Sequence, residues 1–137
     1  MKIFIDTNII VDIVSRRGGY EESLQLLKYC ETSRLKGFVS TVTVTDVMYI
    51  LRKHISPDAV RNAVQTLLVI VDVADVLKND ITAAFSSPVK DFEDAVQASC
   101  ADRIQADYIV TRNTKDFEKS TVRAILPAEL LKRLSEI

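Results

Sequence analysis

Along the chain, short unbroken apolar runs alternate with longer stretches in which apolar residues recur every three or four positions. Lys2-Ile3-Phe4-Ile5 reads as a short buried strand, and Asp6-Thr7-Asn8, residues that cap helices well, follow at once. Residues 9–14 then predict a short helix, broken near Gly18-Gly19. Residues 20–34 carry Leu24, Leu27 and Cys30 at helical spacing, with Gly37 as a stop signal. Residues 38–42 are strand-like, and Thr43 or Thr45 is expected to cap a helix through Met48, Ile50 and Leu51. Ser56-Pro57-Asp58 is a strong helix start for a segment reaching Leu68. Residues 69–73 predict a third strand, 76–85 a helix, 91–106 an alanine-rich helix and 108–110 a fourth strand. A turn at Thr111-Arg112-Asn113-Thr114, a small fifth strand at 122–125 and a helix opened by Pro127 complete the chain. Strands rich in Val and Ile, separated by helices, predict an α/β protein: a three-layer α/β/α sandwich around a parallel sheet of four to five strands. The expected organisation is one domain over 1–137.

Composition narrows the chemistry. Eighteen Lys and Arg against nineteen Asp and Glu leave a net charge of −1, so any polyanion must be met by a local arrangement of charge. The apolar runs are too short to span a bilayer, and the N-terminus carries no signal-peptide pattern, so the expected setting is the cytoplasm, without membrane. One histidine, His54, excludes zinc sites built on several histidines and makes a Ser-His-Asp triad a poor reading. Cys30 and Cys100 read as isolated core thiols, and three glycines cannot write a phosphate-binding loop. Carboxylates are what the chain has in supply.

Functional groups of open parallel sheets gather beyond the carboxyl ends of the strands. Asp6 is the first residue after strand one, Asp46 sits one helical turn beyond strand two, and Asn113 and Asp116 follow strand four. Asp91 and Asp94, three apart at a helix start, share one face. Clustered carboxylates repel, and a hard divalent cation, Mg²⁺ or Mn²⁺, is the natural compensation. Such an ion acidifies water and stabilises phosphodiester cleavage, with Arg112 and Lys115 placed to contact neighbouring phosphates. Singly, each residue has a plainer role: Asp6 and Asn8 as caps, Asp46 and Asp94 as acids favoured near helix starts, Asn113 as a turn former, and Asp91, Glu93, Asp102 and Asp116 as solvated surface. Phe92, Val96, Tyr29 and Tyr49 are expected in the core. The joint placement is what points to a site.

Three segments carry a family resemblance: Ile3-Phe4-Ile5-Asp6-Thr7-Asn8-Ile9-Ile10, Asp91-Phe92-Glu93-Asp94-Ala95-Val96, and Tyr108-Ile109-Val110-Thr111-Arg112-Asn113 with Asp116-Phe117. In order and spacing they resemble the PIN domain family, more narrowly its VapC-like and PilT N-terminus-like bacterial members. That resemblance implies a Mg²⁺- or Mn²⁺-dependent endoribonuclease acting on single-stranded or structured RNA, often a homodimer, and often a toxin restrained by a small antitoxin protein. By position it implies Asp6 and Asp94 as metal ligands and Asp6, Asp46, Asp94 and Asn113 as the catalytic set, with Asp91 and Asp116 as auxiliary acids. Asp46 stands where the family usually has glutamate, one methylene longer. Asn113 stands where many members have a fourth aspartate.

These departures keep a second reading open: a catalytically weak PIN-fold module that binds RNA or protein. A signalling receiver domain fits poorly, because strand one ends in a single Asp6 and Asp72 lies within strand three. A phosphatase with paired aspartates fails on Asn8. Apolar residues on the helices between Tyr20 and Leu68, more numerous than one sheet face needs, predict self-association and a groove for a partner helix.

Overall fold

The computed structural model describes residues 1–136. In chain order the elements are β1 (Lys2–Ile5), α1 (Thr7–Ser15), α2 (Tyr20–Glu31), β2 (Lys36–Ser40), α3 (Thr41–Leu51), α4 (Pro57–Ile70), β3 (Asp72–Ala74), α5 (Lys78–Ala84), α6 (Phe92–Arg103), β4 (Tyr108–Val110), a 3₁₀ turn (Thr114–Phe117), β5 (Ala124–Ile125) and α7 (Pro127–Ser135). The five strands form one sheet in the order β3-β2-β1-β4-β5. Every neighbouring pair is parallel, with Phe4 beside both Phe38 and Ile109. The predicted three-layer α/β/α sandwich is present.

Strand alternation sorts the two cores. Ile3 and Ile5 of β1 join Val39 and Val110 in a core with α1, α2, α3, α4 and α7. Phe4 and Ile109 face the other way, onto α5, α6 and Phe117. On that side Ala95, Ala98 and Ala101 line α6, and their small side chains let the helix lie close over Phe4, which is fully buried. Burying such a ring contributes about 2–3 kcal/mol. Because β1 is central, its carboxyl end opens between β2 and β4, and residues from both neighbours can reach it.

Several boundaries differ from the sequence reading, each for a physical reason. Val69, Ile70 and Val71 look strand-like, yet α4 runs to Ile70 and leaves Val69 87% exposed; β3 starts only at Asp72. The helix before β3 overrides the β propensity of its own last turn. Gly37 is no helix stop. It lies within β2, where a Cβ would sit 2.8 Å from the Cys30 Sγ and 3.0 Å from a Val71 methyl. The cap of α3 is Ser40, whose hydroxyl accepts from the Thr43 N–H, in place of Thr43 or Thr45. Ser56 caps α4 as predicted. Tyr49 and Phe92, expected in the core, are exposed at 66% and 44%; Phe92 packs instead against exposed Phe85, ring centroids 4.9 Å apart. Val96 is core, and both cysteines are buried and free. His54 lies exposed in the turn after α3. Among the described residues no helix is long and apolar enough to cross a membrane.

Candidate metal and nucleic-acid site

Asp6 is positioned by backbone on both sides. Its N–H donates to the Val110 carbonyl (3.0 Å), extending the pairing of β1 and β4, and its carbonyl accepts the Ile9 N–H, which starts α1. It occupies the cap position, but its side chain makes no capping bond. The buried carboxylate accepts instead from the Thr111 hydroxyl at the end of β4, 2.9 Å away. Burial raises its pKa; the Thr111 hydroxyl, the Thr7 backbone N–H and the Arg112 charge pull the other way, and Asp116 adds to the rise.

Asp94 stands in the first turn of α6, half-buried. Burial, then the charges of Asp91, Asp6 and Asp116, push its pKa up to about 7. Asp91 is the cap of α6 and accepts the Asp94 N–H at 3.0 Å, so it serves the helix while adding negative charge. Glu93 is raised to about 7 as well, first by a hydrogen bond shared with Asp46 on α3, then by burial and by the charges of Asp46, Asp91 and Asp94. A hydrogen bond between two carboxyl groups requires one of them to hold a proton. The structure therefore brings Asp6, Asp91, Asp94 and Asp116 into electrostatic contact, while Asp46 meets the group through Glu93. Among the described residues no three of these acids converge tightly enough on one point to close a coordination shell.

Beneath the acids lies a hydroxyl floor. The Thr7 and Thr43 hydroxyls are 2.9 Å apart, and the Gln97 amide donates to Thr43 (2.9 Å) and to Thr7 (3.4 Å). Ser40 adds a donor to Thr43 at 3.3 Å. All four residues are buried. They tie α1, α3 and α6 together just below the residues that bear the acids. Asn113 leads the 3₁₀ turn after β4; its N–H donates to the Thr111 hydroxyl at 3.1 Å, and its side chain does not cap the turn. Lys115 is exposed and lines, with Lys90, Lys119, Asp91, Asp94 and Asp116, an open groove of about 710 Å³. Arg112 reaches back to α1, its Nε 2.9 Å from the Asp12 carboxylate.

A profile of the PIN domain matches residues 2–115. The chain belongs to the PIN domain family. No curated protein matches it. Among solved structures, this PIN domain is similar to a chain of VapBC2 from Rickettsia felis, crystallised with a DNA fragment from its promoter (TM-score 0.71, 17% identity, 92% of this chain and 98% of that one). It is similar to a chain of a toxin–antitoxin complex from Klebsiella pneumoniae (TM-score 0.68, 23% identity, 91% and 97% covered). A third likeness is to VapC20 of Mycobacterium tuberculosis, a toxin that cleaves the sarcin–ricin loop (TM-score 0.64, 14% identity, 78% and 86% covered). These are likenesses of fold.

Sequence reasoning missed Thr7, Thr43, Gln97, Thr111 and Asp12 in this PIN domain; Glu93 is exposed, as expected, but its approach to Asp46 was not foreseen. A usable signal was present. Thr43 lies three residues before Asp46, Gln97 three after Asp94, and Thr7 next to Asp6, so each is a polar residue within one turn of a candidate acid in an otherwise apolar stretch. The donors gathered here are all oxygen, the set that suits Mg²⁺ or Mn²⁺ and not softer metals.

Proposed function

We propose that this PIN domain is a Mg²⁺- or Mn²⁺-dependent endoribonuclease, acting in the cytoplasm as the toxin of a toxin–antitoxin pair. One observation carries the reading: at the carboxyl end of the sheet Asp6, Asp91, Asp94 and Asp116 act on one another, with burial and those like charges pushing Asp94 up to about 7, and beside them the hydrogen bond with Asp46, then burial, raises Glu93. An acid cluster arranged in this way is relieved by a divalent ion. Asp6 and Asp94 would hold that ion, with Asp91 and Asp116 adding negative charge. When bound, it would supply a polarised phosphodiester and a water acidic enough to act as nucleophile.

The remaining residues have distinct tasks. The Thr111 hydroxyl fixes one oxygen of Asp6, which leaves the other to ligate. Glu93, bonded to Asp46, supplies the reach that Asp46 lacks by one methylene. Asn113 offers an amide where a charge would add to the repulsion, and Arg112 and Lys115 meet phosphates on either side of the scissile bond.

Partners follow from two apolar surfaces. Ile10, Ile13, Val14, Leu24, Leu27 and Leu67 line a groove of about 520 Å³ between α1, α2 and α4, suited to the apolar face of an antitoxin helix. Leu77, Ile81 and Phe85 form an exposed stripe at four-residue spacing beside the edge strand β3, suited to a second copy in a homodimer.

The test is purified protein on single-stranded RNA with Mn²⁺, with and without chelator. Chelator-sensitive cutting supports the nuclease. The second reading, a catalytically weak RNA- or protein-binding module, is favoured by Asn113 and the short Asp46; retained RNA binding without cutting would select it. An absence of both cutting and binding overturns the nuclease.

A further inference from the structure

Asp12 lies on α1, six residues beyond Asp6, and is 2% exposed. A buried carboxylate must be neutralised or paired, and two arginines meet this one. The contacts are unequal. Arg112 Nε is 2.9 Å from Oδ2, whereas Arg17 Nε is 3.4 Å from Oδ1, which has no hydrogen-bond partner among the described residues. Arg112 therefore makes the closer ion pair with Asp12, on its Nε side. Nε makes the closest approach to Asp12, and the Arg112 side chain is 45% exposed, which leaves its outer edge open to a ligand.

The placement of Arg112 gives that free edge a use. Thr111 and Arg112 are consecutive just past β4, and each meets an acid across from it: Thr111 holds Asp6 at the β1–α1 junction, and Arg112 pairs with Asp12 further along α1. The Arg112 charge also reaches Asp6. A free arginine loses rotamer freedom when it binds a phosphate; one already held from behind loses less.

We propose that Asp12 is a positioning residue, which holds Arg112 by its Nε so that the free edge of the guanidinium takes a substrate phosphate beside the acid cluster. The proposal rests on the ribonuclease reading. It makes a specific demand on residue type. A lysine has one nitrogen, which Asp12 would occupy, so Arg112→Lys would keep the charge and the buried pair yet lose the phosphate contact.

The experiment measures binding of a fluorescent oligouridine of about 20 nucleotides, by anisotropy, over about 50 to 200 mM KCl. All proteins carry Asp94→Asn, which removes cutting and one repelling carboxylate. Arg112→Ala is expected to weaken binding about tenfold and to reduce the slope of log affinity against log salt by about 0.7. Arg112→Lys is expected within about threefold of Arg112→Ala. Asp12→Asn, with Arg112 intact, is expected to lose the same affinity and slope, and adding Arg112→Ala to it costs nothing more. A purely structural Asp12 would lower the melting temperature and leave the salt slope alone. If Asp12→Asn does not fold, Arg112→Lys decides the matter by itself. Binding by Arg112→Lys at the parent level overturns the proposal, as does a folded Asp12→Asn with the parent salt slope. Failure of the parent protein to bind any oligouridine removes the ribonuclease reading, and this proposal with it.

Discussion

Asp80 and Asp94 are each the third residue of a helix, and α5 and α6 pack on the same face of the sheet, yet their surroundings treat them in opposite ways. Asp80 is 1% exposed and fully provided for: it accepts the Leu77 N–H (2.9 Å), the Ser99 hydroxyl (2.8 Å) and the Arg103 guanidinium (3.1 Å). Burial works against its charge, but those donors outweigh it and hold its pKa below the ordinary range. Asp94 is more open and has acids for neighbours, and its pKa rises to about 7. The contrast separates two uses of one residue type. An acid that the fold has satisfied holds helices together; an acid left among acids marks where charge must come from outside.

The sharpest way to break this contrast is to neutralise the acids one at a time. Asp94→Asn and Asp6→Asn are each expected to lower metal-dependent RNA cutting by about 100-fold or more, with melting temperature unchanged or raised, because a repelling charge is gone. Rate assays paired with thermal melts check both halves, and wild-type cutting by either variant would remove that residue from the site. Asp80→Ala is expected to do the reverse. It strands Arg103, the Leu77 N–H and the Ser99 hydroxyl, at a cost of about 2–4 kcal/mol, or about 10 °C in melting temperature, with metal affinity intact.

The pH dependence sharpens the comparison further. Glu93 and Asp94 bind protons more tightly in the folded state than in the unfolded chain, so without metal they favour the fold most below about pH 4, and that advantage is lost as pH rises to about 7. Asp80 has the opposite sign: its stabilisation is present above the ordinary carboxylate range and is lost on acidification. Calorimetry in chelator is therefore expected to show the melting temperature falling from about pH 5 to 7.5 in wild type and a flatter curve in Asp94→Asn. The smallest expected effect is that of Asn113→Asp. It adds one charge at the end of β4, which should tighten Mn²⁺ a few-fold and lower metal-free melting by about 1–2 °C. Identical titration calorimetry for the two proteins would mean that Asn113 is only a turn residue.

How far the sequence could be read depended on the range of the forces involved. The order of strands and helices was legible because β1 and β4 are short apolar runs bounded by cap and turn residues; the positions of Asp6 and Asp46 were legible from the ends of β1 and β2, and that of Asp94 from the helix start at Asp91. The end of α4 was not, since Val69 to Val71 favour a strand locally, yet α4 runs on to Ile70 with Val69 exposed. Gly37 misled for a related reason: its need for a small side chain comes from Cys30 across the core, not from a turn. Tyr49 and Phe92 are bulky residues that stay exposed, Phe92 covered only in part by Phe85. The pairing of Glu93 with Asp46 depends on how α3 and α6 are set against each other, and the grip of Arg112 on Asp12 on how β4 lies beside α1. Neither is written in local spacing.

The hydroxyl floor also has a bearing on time. Thr7 and Thr43 are 36 positions apart, Gln97 is 90 from Thr7, and the Thr111 bond to Asp6 spans 105. A chain growing at about 5–20 residues per second has made both acid-bearing helices α1 and α3 well before Gln97 and Thr111 exist to join them. Until then Asp6 has no anchor and α3 has nothing to hold it against α6. The end of the sheet where the acids meet therefore forms late, with only β5 and α7 still to follow, and a nascent chain carries these acids unassembled until most of it has been made.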